Sequence, residues 1–342
     1  MGAMVTSALA LVGNSKSGTI STLRVAEGSL DVVCASPVGV GCGTFAVDPS
    51  RDLVYSAVKE PEPAIVTLQL DRDTGQLTER ARRTVPNPLA YLELNPEASV
   101  LLGASYDGGW GATWPLEDGT LGDEVSRVEH ANLHAVITDG DFAYFVSLGD
   151  DLIDQQRLGQ DGTLSPLEPA TVSVDEGAGA RHLIFGRDGS SAYLMTEFTG
   201  QAIRFDRDPS GRLTPAEAVD AHDPDSGLKV SEFGADPKEN HLIWGADLHL
   251  VADGRFLICS ERTISTLASI RLDSDGRLLE VAALTPTEKQ PRGFNVTPDG
   301  RHLLVAGEAS GQVSLHRVED DGSLPVEARV ATGYGPNWVR FV

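Results

Sequence analysis

Fifty acidic residues against 27 basic ones give this 342-residue chain a formal net charge of −23, which excludes the basic face that gripping a nucleic-acid backbone requires. Hydrophobic residues make up 41% and charged residues 23%, the balance of a soluble globular protein. No apolar run approaches the ~18 residues of a membrane-spanning helix, so neither a membrane nor a nucleic acid is an expected partner.

The start, Met1-Gly2-Ala3-Met4, lacks the basic stretch of a secretory leader; residues 1–6 are expected to be disordered or a cloning scar, and the cytoplasm is the expected compartment. Residues 7–14, 19–25 and 30–35 read as three short strands. From there a Gly-x-Leu tripeptide recurs as EGSL, TGQL, DGTL, DGTL, SGRL, DGRL and DGSL, setting Leu30, Leu77, Leu121, Leu164, Leu213, Leu278 and Leu324 at intervals of 47, 44, 43, 49, 65 and 46 residues. A second turn signal at Asp48, Asn95, Asp139, Asp188, Asp253 and Asp299 keeps the same beat. Each unit holds four strand-like runs, as at 293–297, 302–306, 313–317 and 325–331. Four strands per ~40–45 residues is the beat of a propeller, and short runs without helical periodicity exclude a helical repeat.

The long interval between Leu213 and Leu278 places an insertion at about 222–241, rich in Asp, Gly, Pro and Lys. The terminal GPNWVRFV (335–342) is a lone first strand. Pairing it with the three-stranded N-terminal unit closes a ring and removes two sheet edges. The expected architecture is all-β: a seven-bladed β-propeller of four antiparallel strands per blade, with residues 1–342 forming one domain.

In such a ring the first strand of each blade lines the central channel. At the mouths of these strands stand His134, Arg181, His182, Asp247, His249, Arg292, Asn337 and Trp338, and the second strands end in Lys59, Ser105, Tyr106, Glu197, Glu261, Arg262 and Glu308. Singly, each has a bland reading: Arg292 with Glu308 as a plain ion pair, His134 as a satisfied core histidine, His182 and His249 as packing groups. Arg181, Arg262 and Arg292 together are harder to dismiss. Three cations near one axis repel unless anions sit between them, and Glu197, Glu308 and a carboxylate or phosphate ligand would supply those. Cys34, Cys42 and Cys259 have no metal or disulfide spacing and are expected to be free buried thiols.

WGADLHLVADGRFLICSERT, EKQPRGFNVTPDGRHLLVAG, GAGARHLIF and GPNWVRFV resemble the bacterial propeller-type 6-phosphogluconolactonases, a family that includes the fungal 3-carboxy-cis,cis-muconate cyclases. The resemblance implies a seven-bladed propeller that works on a small-molecule lactone without a metal or other cofactor; a monomer or weak homodimer is expected. It places the catalytic histidine at His134, the arginine–histidine pair at Arg181 and His182, the glutamate at Glu197, and further arginines at Arg262 and Arg292. Substrate-binding roles are expected for Arg292, His182, Asp247, His249, Glu308, Tyr106, Asn337 and Trp338. The chain departs from the family where phosphogluconolactonases tend to carry basic residues: Gly149 and Ala309 stand there, and Lys59 replaces a common arginine.

The implied reaction is hydrolysis of an aldonolactone, with His134 or Glu197 as base and Arg181 and Arg262 steadying the oxyanion. An unphosphorylated or differently substituted sugar lactone, or a lactonizing cyclase running the same proton transfers backwards, fits the same residues. A serine nucleophile is not supported, since no Gly-x-Ser-x-Gly elbow occurs. A calcium cage from Asn337, Glu197 and Asp247 would belong to a six-bladed ring. A non-catalytic scaffold would not concentrate arginine, histidine and glutamate at the channel mouth.

Overall fold

The structure is a computed structural model that describes residues 8–342; the expectation for residues 1–6, and Ser7 of the first strand, lie outside the described residues. Seven antiparallel sheets follow one another around the ring. Blade one joins the C-terminal strand Pro336–Phe341 to Ala8–Asn14, Thr19–Ala26 and Ser29–Pro37. The innermost strands of blades two to seven are Phe45–Asp48, Tyr91–Leu94, Leu133–Asp139, Ala180–Phe185, Gly245–Val251 and Pro291–Val296. In each blade the second strand is fully or almost fully buried, as in Leu53–Val58, Ser191–Thr196 and Phe256–Glu261, so it reads as a continuous apolar run rather than an alternating one. The outermost strands, such as Leu77–Thr84, bury one side at most.

The recurring Gly-x-Leu has a structural purpose. Six of its seven glycines, Gly75, Gly119, Gly162, Gly211, Gly276 and Gly322, have positive φ between 73° and 90°, a conformation that glycine alone adopts without cost. There each turns its carbonyl toward the preceding blade and accepts a hydroxyl: from Thr22, Tyr55, Thr113, Tyr144, Tyr193 and Ser269 respectively, at 2.6–2.8 Å. The repeat thus marks the hydrogen bond that ties one blade to the next.

Two elements differ in detail from the repeat. The outer strand of blade three is split into Thr120–Leu121 and Ser126–Glu129, both paired to Trp110–Glu117. The insertion folds into a 3-10 turn, Pro224–Ser226, and one helical turn, Pro237–Asn240, started by Pro237 and capped by the Asp236 carboxylate on the amides of Lys238 and Glu239. Cys42 and Cys259 are buried, but Cys34 is only half-buried, because it lies on the outermost strand of its blade. Among the described residues no helix is long and apolar enough to cross a membrane.

Candidate active site

Five of the seven innermost strands break register at the channel mouth. The pairing skips Asn337 in blade one, His134 in blade four, Arg181 in blade five, one residue of Ala246–Asp247 in blade six, and Arg292 in blade seven. A β-bulge adds a residue to one strand and re-aims its side chain. Here all five bulges carry polar residues in the first half of their strands. Close approach of neighbouring strands makes room for them: a Cβ on Gly293 would lie 2.4 Å from the Asn337 carbonyl oxygen.

Above the bulges opens a cavity of about 430 Å³, into which His134, Glu197, Arg262, Arg292, Glu308 and Asn337 face, with Tyr106 and Lys59 on its rim. The core of its wall is a carboxylate between two guanidiniums. Glu197 Oε2 accepts from Arg181 Nε at 2.8 Å and pairs with Arg262 Nη2 at 2.8 Å. Glu197 Oε1 accepts from the Trp244 indole at 3.2 Å, and the same indole lies 3.9 Å from the Arg262 guanidinium carbon. Burial alone would push the Glu197 carboxyl up, but Arg262, then Arg181 and Arg292, bring it below the usual carboxylate value. It is therefore ionised and its lone pairs are largely engaged.

His134 is the opposite case. Burial first, then Arg181, His182, Arg292 and Arg262, hold its imidazole well below its ordinary value, so it is neutral at pH 7. Its Nδ1 is buried without a hydrogen-bond partner, and Tyr106 and His182 stand against its ring at 5.9 and 5.1 Å. Asn337 Oδ1 is likewise buried and unpartnered. Burial and the neighbouring guanidiniums lower Arg262 to about 9, which leaves it protonated at neutral pH. Arg292 is the looser cation: its Nη1 is 3.7 Å from Glu308 Oε2, and Gln290 donates to that same oxygen at 2.6 Å.

Four residues expected to touch substrate do not line the cavity. His182, Asp247, His249 and Trp338 are absent from its lining and stand behind it, His182 lying 5.1 Å from the His134 ring and 6.1 Å from Trp338. His182 donates from Nδ1 to Asp247 Oδ1 at 2.8 Å, His249 Nε2 lies 3.5 Å from Asp247 Oδ2, and Trp338 donates to the Phe45 carbonyl at 2.9 Å. Arg181 is also beneath the surface, 1% exposed, and reaches the site only through Glu197. Trp244 was not among the sequence candidates. It follows directly on the insertion, where neither alternation nor repeat spacing marks it.

The ring, its blade count and this mouth define a propeller enzyme of the lactonase kind. The family described as lactonase, 7-bladed beta-propeller, matches residues 4–341: the chain belongs to that family, and as a lactonase it takes a small-molecule lactone. It is 30% identical over 320 residues to a 6-phosphogluconolactonase of Klebsiella pneumoniae, covering 92% of each chain. It is 29% identical over 318 residues to the 6-phosphogluconolactonase of Enterobacter sp. (strain 638), again covering 92% of each. Among solved structures, a Lactobacillus plantarum protein superposes with a TM-score of 0.87 at 22% identity, covering 98% of this chain and 100% of that one. The periplasmic gluconolactonase of Pseudomonas aeruginosa does so at 0.86 and 24%, covering 98% and 99%. These two likenesses concern the fold.

Proposed function

We propose that this lactonase hydrolyses an aldonolactone to the open-chain acid, with His134 as general base. What carries the reading is a neutral imidazole in the same cavity as Arg262 and Arg292. A water deprotonated by His134 would attack the lactone carbonyl, and the oxyanion would form against the Arg262 guanidinium. Collapse of that intermediate breaks the ring C–O bond, and the proton held on His134 passes to the departing alkoxide. The product is a carboxylate, which suits the same arginine. Glu197 acts as the anion that fixes Arg262 in place; with Oε2 held by two guanidiniums and Oε1 by the Trp244 indole it is the weaker candidate for base.

The far end of the substrate would lie toward blades one and two, where Lys16 and Lys59 stand on the rim, across the channel from Glu197 and Arg262. Two ammonium groups in a chain of net charge −23 favour a lactone with an anionic tail, as the resemblance to 6-phosphogluconolactonases also suggests. Asn337 Oδ1, buried and unpartnered, is suited to accept from a hydroxyl of the polyol. The test is hydrolysis of glucono-1,5-lactone with and without a 6-phosphate, by wild type and by Lys16→Gln and Lys59→Gln. Preference for the phosphorylated lactone that both variants erode supports the reading. No hydrolysis of either lactone sinks it.

A further inference from the structure

The cavity accounts for Glu197, Arg262, Arg292 and His134, but leaves unexplained why two more titratable groups are buried directly beneath them. His182 is 3% exposed and Asp247 6%, and a buried charge persists only where its partners repay the loss of water. Their hydrogen bonds form one directed chain. Arg181 has donors only, so where its Nη1 stands 3.2 Å from His182 Nε2 that nitrogen must be the bare, accepting one. The proton is then on Nδ1, which lies 2.8 Å from Asp247 Oδ1. From Arg181 the chain continues through Nε to Glu197 Oε2 at 2.8 Å. A second Arg181 donation, from Nη1 to the Ala246 carbonyl, reaches the residue beside Asp247.

Asp247 is itself fixed from two blades. Its Oδ1 accepts the Leu248 amide and its Oδ2 the Phe294 amide, each at 3.1 Å, while its own amide donates to Ser260 Oγ at 3.0 Å. The carboxylate is thus tied to blades six and seven and to the imidazole of blade five. The β-bulges at Arg181 and at Ala246–Asp247 permit this, because each turns into the channel a side chain that plain alternation would send elsewhere.

We propose that Asp247 and His182 are positioning residues for the lactonase reaction. Asp247 fixes the Nδ1–H tautomer of His182, His182 Nε2 holds the Arg181 guanidinium, and Arg181 holds the Glu197 carboxylate on which Arg262 depends. Neither residue touches substrate. Each acts through Arg181, and loss of either leaves Glu197 tethered by Arg262 and Trp244 alone. A displacement of about 1 Å in such a constellation can cost on the order of 10²-fold in rate.

Two substitutions separate this role from packing. His182→Asn keeps a donor near the place of Nδ1 and removes the acceptor for Arg181. His182→Gln puts an amide oxygen near the place of Nε2 and keeps that acceptor. Gln is expected to retain most of kcat, and Asn to lower it by roughly 10- to 100-fold with KM changed by less than about 3-fold. In an Arg181→Met background the Asn substitution is expected to cost nothing further, since the residue it acts through is gone. Equal losses for Asn and Gln, or additive losses in the double variant, overturn the proposal. The kinetic arm rests on the hydrolysis reading above. A second arm does not: nitrogen-15 spectra of the wild-type histidines are expected to contain, besides the Nδ1–H tautomer of His316, whose Nδ1 donates to the Leu324 carbonyl at 2.8 Å, a further Nδ1–H tautomer that is lost in both His182 variants while the His316 signal stays. An Nε2–H tautomer for His182 overturns the proposal whatever the enzyme hydrolyses.

Discussion

His134 owes its candidacy to its neighbours. Four cationic or imidazole groups surround a buried ring, so the proton that would silence it as a base binds only at a pH well under the ordinary histidine value of ~6.5. Because its proton affinity is lowered, the active, neutral form persists as pH falls, and the acid limb of kcat/KM is expected below ~6.5 rather than at it. Rates on one lactone between about pH 5 and 7, where spontaneous opening is slow, check this; a limb centred at the ordinary histidine value counts against His134. His134→Ala is expected to lower kcat by ~10²-fold or more, the usual scale for losing general acid–base help. Arg292 differs from the other arginines because its side chain is 36% exposed and only distantly paired. Arg292→Ala is therefore expected to raise KM by roughly tenfold, the worth of one charge-assisted hydrogen bond, with a smaller change in kcat. Arg262→Ala, which removes the partner of Glu197, is expected to act mainly on kcat. If Arg292→Ala lowers the melting temperature and leaves KM alone, the arginine is a strut for Glu308.

At the scale of strands and loops, the sequence shows the blades clearly and the aim of their side chains poorly. The Gly-x-Leu turns are legible because a positive φ and an interblade carbonyl leave glycine little competition at that point. The bulges at Asn337, His134, Arg181, Asp247 and Arg292 are not legible, since an extra residue in a strand changes no composition and shifts alternation by one. That is why His182 and Asp247 read as mouth residues and prove to stand behind the cavity lining. Trp244 escaped for another reason: the insertion before it interrupts the beat, and an isolated tryptophan has no pattern of its own. Its ring stacks on Arg262 and its N–H meets Glu197. Trp244→Phe, which keeps the stacking face and loses the donor, is expected to reduce kcat/KM by a few-fold, and Trp244→Ala, which loses both, by ~10-fold or more. Equal effects of Phe and Ala would mean that the ring face contributes nothing.

For the whole molecule, the closure of blade one decides whether there is a site at all. Pro336–Phe341 pairs with Ala8–Asn14 from Ala10↔Phe341 to Asn14↔Pro336, joining the two ends of the described chain in one sheet. The same strand supplies Asn337 to the cavity, packs Trp338 against Tyr91 at 4.9 Å, and receives the Asn295 side chain of blade seven on its Val339 carbonyl. Its removal would bare the Ala8–Asn14 edge, whose residues are almost all buried, and open an apolar, unpaired strand to other chains. It would also leave the innermost strands of blades two and seven without their neighbour, so the loss spreads to both sides of the ring. Ending the chain after Gly335 is therefore expected to yield protein that aggregates or melts without a cooperative transition and has no lactonase activity. Removing Val342 alone, which costs one hydrogen bond to the Leu9 carbonyl and a partly buried side chain at the strand's end, should lower the melting temperature by a few degrees at most and leave cooperative melting and activity intact. Calorimetry of the two truncations side by side checks this. A cooperative, active protein ending at Gly335 would show that six complete blades and an open seventh suffice, and that Asn337 and Trp338 are dispensable to the mouth they border.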